Sequence, residues 1–154
     1  MGAVPFQLAM GAVQYKAQGE IGKINQGINE RNALILEGQA EQIEAKAKFD
    51  IAQFRKNFTK IEGQTKVALA KSGVQIGSGS AYNIELSNVF EAQLQEQLIS
   101  YNAKVAAANK MEEANFARIR GTMARNESKL AQISTVAQTG SNIYSMMNKP
   151  KGVA

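Results

Sequence analysis

The neighbouring carboxylates Glu112 and Glu113 are of the residue type that general acid–base catalysis requires. Adjacent residues of a helix point in different directions, so the sequence predicts two separate solvated charges instead of an acid–base pair. The chain has no cysteine and no histidine, which removes thiolate nucleophiles, imidazole bases and the usual zinc ligands. The composition therefore predicts a protein that is not an enzyme and that holds no metal or cofactor.

A second chemistry to consider is phosphate binding by the stretch 72–80, which contains three glycines and three serines. A phosphate loop follows a strand and continues into Gly-Lys-Ser/Thr, and the sequence indicates neither feature. Glycine and serine favour a chain reversal, because they supply positive φ and helix caps. Since the stretch also holds the apolar Val74 and Ile76, we predict a packed corner. Its hinge residues are Gly73, Gly77, Ser78, Gly79 and Ser80.

The segments on either side of this corner are predicted to be helices. Pro5 and Pro150 are the only prolines, and Ala, Gln, Glu, Lys and Leu dominate the interval between them. We therefore expect an all-α fold, a long antiparallel hairpin resembling a coiled coil. Its parts are arm one at 5–72, the corner at 73–80 and arm two at 81–126.

The helical pattern weakens beyond Asn126. A break is predicted at 139–142, before a short apolar piece at 143–147, and Pro150 and Gly152 predict an extended end. Residues 127–154 are thus expected to form a weaker helix and a flexible tail.

Both arms carry large apolar residues three or four positions apart, which is typical of the contact stripe of a coiled coil. They are Ile51, Phe54, Phe58 and Ile61 on arm one, and Leu86, Phe90, Leu94, Leu98, Tyr101 and Val105 on arm two. We expect these two stripes to face each other; a cofactor pocket lined by the aromatic residues is the weaker alternative. Arm one also contains Gly19, Gly22, Gly27 and Gly38, which predict the close approach of a neighbouring helix.

Charges test the alignment of the two arms. In an antiparallel hairpin, residues at the same level have numbers with a near-constant sum, here about 150 to 152 if the midpoint lies in the corner. Charged residues paired by this rule have opposite signs: Arg55 and Lys56 with Glu96, Lys60 with Glu91, Lys66 with Glu85, Glu41 with Lys110, Glu30 with Arg120, and Lys23 with Glu127. Exposed ion pairs add little stability, so the pattern predicts register and not strength.

A two-helix hairpin buries one stripe on each arm and little else. We therefore expect the chain to pack side by side with copies of itself or with another protein. The net charge of +5 would favour contact with nucleic acid or an anionic membrane, although no dense basic cluster is present.

The first fifteen residues carry no charged side chain. They are too few to span a bilayer alone, for which about 20 apolar residues are needed. A helix end buried against a partner subunit is one interpretation, and conditional membrane insertion within an oligomer is the other. The candidate membrane contacts are Val4, Phe6, Leu8, Met10 and Val13.

Several stretches together resemble a known family, the small internal virion or ejection proteins of short-tailed bacteriophages. The matching features are the uncharged start Ala3-Val4-Pro5-Phe6 to Gly11-Ala12-Val13-Gln14, the long Ala/Gln/Glu helix, the corner at 73–80, and Glu91, Leu94 and Glu96 followed by Ile99-Ser100-Tyr101-Asn102. The resemblance covers most of residues 1–125.

This resemblance implies a homo-oligomeric ring inside the capsid, in contact with the portal and other virion core proteins and with non-specific access to packaged DNA. It further implies ejection into the host envelope at infection, where such proteins assemble in the outer membrane as a conduit for genome delivery. The alternatives are a helical adaptor or scaffold that stays in its particle, and a nucleic-acid-binding module.

Overall fold

The structure, a computed structural model, describes residues 3–73 and 79–148, without the side chains of residues 3–7 and 80. It contains two α-helices, α1 at Ala3–Lys71 and α2 at Gly79–Met147, packed against each other in opposite directions. The predicted all-α helical hairpin is confirmed. The chain divides into two compact units: unit 1 comprises Met1–Ile35 and Glu113–Ala154, and unit 2 comprises Leu36–Glu112.

The first helix, α1, ends at Lys71, just before the predicted corner at 73–80. The amide of Ser72 donates to the Ala68 carbonyl at 3.1 Å, and the amide of Gly73 donates to the Ala70 carbonyl at 3.3 Å. Gly73 has a φ of +76°, the left-handed conformation in which glycine commonly ends a helix. Val74 and Ile76, on which the prediction of a packed corner rests, lie outside the described residues, as do Gly77, Ser78 and the side chain of Ser80.

The second helix begins and ends beyond its predicted limits. It starts at Gly79, which has a φ of +59°, and continues without interruption to Met147. The predicted break at 139–142 is therefore wrong. Tertiary contact outweighs the weak local propensity there, because Thr139 packs against Gly11 of α1. Residues 127–147 are helical, and residues 149–154, which include most of the predicted flexible tail, lie outside the described residues.

Small residues form the contact between the helices. Every buried hydrophobic residue in the described part of the chain is an alanine: Ala33, Ala40, Ala47, Ala81, Ala92, Ala107, Ala114 and Ala117. Several of these alanines recur at intervals of seven, which keeps them on one face of a helix. We call the residues that face the other helix the inner stripe of each helix.

Glycines extend the inner stripe in unit 1. A Cβ built on Gly22 would collide with the side chain of Ser128, and one on Gly121 would lie 3.0 Å from the Cβ of Asn29. The close approach predicted for Gly19 and Gly22 is confirmed, since both have α2 side chains directly over them. Gly27 and Gly38 have open space instead, so the same prediction was wrong for them.

Candidate functional site

The acidic side chains do not cluster in the part of the chain that the structure describes. No group of three or more acidic, histidine or cysteine side chains there could hold a metal ion. Glu112 and Glu113 both lie on the exposed surface.

The contact stripe predicted for arm two lies on the wrong side of the helix to meet α1. Its six large residues in unit 2 are exposed, with the following accessible fractions: Leu86 56%, Phe90 68%, Leu94 47%, Leu98 45%, Tyr101 66% and Val105 43%. We call these six residues the outer stripe of unit 2. The predicted contact between this stripe and arm one is therefore wrong.

Helix geometry explains the outward direction. Leu94 is two residues from Ala92, which is buried, and two residues from Glu96, which binds α1. Two residues correspond to a rotation of about 200°, so Leu94 points away from α1. The periodicity seen in the sequence is real, but it belongs to the face that the hairpin leaves uncovered.

The contact stripe predicted for arm one is only partly used. Phe54 and Phe58 are half-buried and stack with their ring centroids 6.4 Å apart, while Ile51 is half-buried and Ile61 is 58% exposed. The two phenylalanines line a groove of about 260 Å³ together with Glu62, Glu85 and Glu91.

The charged side chains around this groove differ in their hydrogen bonding. Lys66 donates to Glu62 at 2.8 Å, and this bond, with a smaller effect of the Glu85 charge, raises the pKa of Lys66. The Oε1 atom of Glu85 is buried and has no hydrogen-bond partner among the described residues. Lys66 therefore bonds along its own helix and not to Glu85, its predicted partner.

The register predicted from charge is confirmed at Arg55, whose guanidinium donates to both carboxylate oxygens of Glu96, at 2.8 and 2.7 Å. In unit 1, Glu30 pairs with Arg118 at 3.2 Å, two residues from the predicted Arg120. Helical phase selects between these arginines, because Arg118 is half-buried beside α1 and Arg120 is exposed.

Three of the five candidate membrane contacts, Leu8, Met10 and Val13, have described side chains. They are 53%, 51% and 67% exposed, whereas the side chains of Val4 and Phe6 lie outside the description. Leu8 also lines an apolar groove of about 480 Å³ between the two helices of unit 1, with Gly11, Tyr15, Val136, Thr139 and Ile143 among its other walls.

Polar side chains lie inside this part of unit 1. Thr135 is buried and donates to the Ala131 carbonyl at 2.9 Å or to Gln18 Oε1 at 3.0 Å, while Gln132 donates to the Tyr15 carbonyl at 2.8 Å. Ser128 donates to the Gln18 carbonyl. This arrangement was not predicted from the sequence, although the uncharged composition of residues 130–148 was an available signal.

Neither helix contains, within its described residues, a stretch long and apolar enough to cross a bilayer.

Comparisons with protein families, curated proteins and solved structures found no match to this chain.

Proposed function

We propose that this protein is a structural subunit that packs side by side with copies of itself through the outer stripe of unit 2. The observation that carries the proposal is the inverted distribution of apolar residues, with alanines in the contact between the helices and six large residues outside it. Water-soluble monomers rarely expose a contiguous apolar patch of more than a few hundred Å². A second helix covering the stripe removes this unfavourable exposure.

Charge favours a second copy as the occupant. Residues 72–103 contain no lysine or arginine, and Glu85, Glu91 and Glu96 are their only charged residues. Residues 46–71 contain seven basic and two acidic residues. Glu96 is already paired with Arg55 and Glu85 is half-buried, so Glu91 is the exposed carboxylate of this stretch. Two copies aligned at the same level would place Glu91 of one α2 beside the basic half of the neighbouring α1, where Phe49, Ile61 and Val67 are exposed. Such a contact joins α2 of one copy to α1 of the next and is therefore heterologous. Repeated around an axis, heterologous contacts of this kind form a closed ring.

The finer role that we propose follows the resemblance in the sequence. The subunit would form part of an internal virion core at the portal of a short-tailed phage, and would be ejected to help build a channel across the host envelope. Support comes from the uncovered outer stripe and from the exposed apolar residues near the start of α1. The second candidate, an adaptor that stays in its particle, uses the same stripe without a membrane step.

Self-association is tested by comparing Leu94→Asp with Gln93→Asp in sedimentation velocity experiments. Both positions are exposed and neighbour each other, but only Leu94 belongs to the outer stripe. We expect the wild type and Gln93→Asp to form the same oligomer and Leu94→Asp to dissociate to monomers. A monomeric wild type, or an unchanged oligomer for Leu94→Asp, would contradict the proposal.

Leakage of dye from lipid vesicles separates the two finer roles. An ejected channel protein should release the dye, and Leu8→Asp should abolish release while leaving assembly nearly intact. If the wild type assembles and releases no dye, the adaptor is the better description. If Leu8→Asp leaks normally but assembles poorly, the start of α1 is a contact within the assembly.

A further inference from the structure

The two helix ends that meet in unit 1 carry no charged side chain. The sequence has none over residues 3–15 and none over residues 130–148. The structure brings these two segments together, because a Cβ on Gly11 would lie 2.7 Å from Thr139 Oγ1, and Gln132 bonds to the carbonyl of Tyr15. We call residues 3–15 of α1 and 130–147 of α2 the uncharged end.

Small polar side chains lie between the two helices of the uncharged end. Thr139 donates to the Thr135 carbonyl at 2.8 Å, and Thr135 in turn donates to its own helix or to Gln18 on α1. Each of these hydroxyl groups is satisfied by a partner within the helix pair and needs no water.

Large apolar side chains are exposed on the outside of the uncharged end: Leu8 53%, Met10 51%, Val13 67%, Tyr15 44%, Leu130 66%, Ile133 65%, Val136 59%, Tyr144 69% and Met147 75%. The exposed polar side chains between them, such as Gln14, Gln138 and Asn142, are uncharged. Helix pairs in lipid have small residues and hydroxyl hydrogen bonds at their contact and large apolar side chains facing the acyl chains.

Positive charge borders the uncharged end. The first charged residues reached from it are Lys16 on α1 and Lys129 on α2, and both are exposed. Unit 1 contains nine basic and four acidic residues, whereas unit 2 contains nine of each, so the whole net charge of +5 belongs to unit 1. Lysines at the edge of an apolar surface can reach the phosphates of anionic lipids.

From these observations we propose that the uncharged end is a lipid-binding element, in which the large apolar side chains of α2 residues 130–147 and of the start of α1 enter the surface of an anionic bilayer. Since neither helix has a described stretch that is apolar enough to cross a bilayer, the element is expected to lie at the membrane surface. The proposal deepens the membrane step of the proposed function and rests on it. It assigns that step to both helix ends, and not to the start of α1 alone.

Charge also distinguishes this surface from the outer stripe of unit 2. The outer stripe has acidic residues on its own helix that can set the register of a protein partner, as Glu91 would. The uncharged end has no charged residue that could fix the register of a partner helix. Fluid lipid has no register to fix. Lipid is therefore the occupant that we assign to it.

The test is flotation of the full chain with vesicles of phosphatidylcholine and phosphatidylglycerol in a 3:1 ratio, and with vesicles of phosphatidylcholine alone. The variant is Ile133→Asp and the matched control is Ile119→Asp. Ile119 is an exposed isoleucine of the same helix and the same unit, at 53% against 65%, but it lies beyond Lys129. Val136→Asp repeats the test at a second site, and circular dichroism verifies that each variant stays helical.

We expect the wild type and Ile119→Asp to float with the anionic vesicles, and Ile133→Asp and Val136→Asp to bind at least tenfold more weakly. Weaker binding to neutral vesicles is expected, because the border lysines then lack their partners. Equal binding of the helical Ile133→Asp variant would overturn the proposal. So would a wild type that binds duplex DNA but no vesicles.

Leu94→Asp makes a failure of this inference distinguishable from a failure of the proposed function. This substitution places a charge within the outer stripe and leaves the residues of the uncharged end unchanged. If the Leu94→Asp variant is monomeric and still floats with the vesicles, and if adding Ile133→Asp to it abolishes flotation, both proposals stand. If the wild type forms its oligomer but never floats, the subunit proposal stands and the lipid-binding element is rejected.

Discussion

The guanidinium of Arg55 and the carboxylate of Glu96 form a two-bonded ion pair between α1 and α2, although 41 positions separate them in the chain. The residue numbers sum to 151, the value that an antiparallel hairpin with its midpoint in the corner requires. The Glu96 side chain is only 21% exposed. The hydrogen bond with Arg55 holds the pKa of Glu96 below its ordinary value of 4.5; desolvation opposes this effect and the charge of Arg55 adds to it. The pair therefore reports on the alignment of the helices in unit 2.

The stabilisation from this pair should depend on pH with a defined sign. Because folding lowers the pKa of Glu96, its contribution is complete above pH 4.5 and is lost as the pH falls through the lowered pKa. Urea denaturation at a series of pH values should show Arg55→Gln less stable than the wild type at neutral pH, with the difference vanishing in acid. Lys56→Gln, at the exposed neighbouring position, is the control and should show no such pH dependence. A difference that persists unchanged in acid would mean that Arg55 acts through packing and not through Glu96.

Two glycines of α1 should respond to alanine in opposite directions. Gly22→Ala places a methyl group against the Cβ of Ser128, and such overpacking costs about 1 to 3 kcal/mol of unfolding free energy. Gly27 has nothing within 4 Å, so Gly27→Ala should stabilise the helix by up to about 1 kcal/mol. Thermal denaturation of the two variants measures both effects. Stabilisation by Gly22→Ala would show that the helices are not in contact there.

The inner stripe should tolerate no large residue. Ala114 is fully buried, and Ala114→Leu forces the helices of unit 1 apart at a cost of about 1 to 3 kcal/mol or more. Ala108→Leu makes the same change at an exposed position of the same helix and should shift stability by no more than about 0.5 kcal/mol. Equal effects in chemical denaturation would place Ala114 at the surface.

The glycine that ends α1 should be more sensitive than a glycine within it. Gly73 adopts a φ of +76°, and any residue with a Cβ is strained there by about 1 to 2 kcal/mol. Gly73→Ala should therefore lower the melting temperature. Gly63→Ala, at a helical position with open space, should raise it. A rise in both variants would argue against a left-handed residue at the corner.

Much of the fold was predictable from local chemistry. Helix-forming residues between Pro5 and Pro150 predict two long helices, and the glycine-rich stretch predicts where they meet. The alternation of charge along the chain predicts register, because opposite charges at the same level attract where both side chains lie beside the facing helix. Arg55 and Glu96 confirm that prediction.

The choice of inner stripe was not predictable by the reasoning that favours the largest apolar residues. Burial of apolar area scales with side-chain size, which made Phe90 and Leu94 the expected contacts. A helix with two apolar faces can turn only one of them toward its hairpin partner. Alanine and glycine allow the backbones to approach, and the structure buries that face. The spacing of seven between Ala33, Ala40 and Ala47 was the available signal.

The sequence by itself determined that this protein is helical, that its two helices meet at the glycine-rich stretch, and that Arg55 and Glu96 lie at the same level, because these features depend on local propensity and on the linear order of charges. Only the tertiary structure decided which faces remain outside and that α2 continues through residues 139–142 to pair with the start of α1. Those outcomes depend on contacts such as Gly11 with Thr139, between residues far apart in the chain. No local pattern specifies such contacts, since each helix could have presented either of its apolar faces.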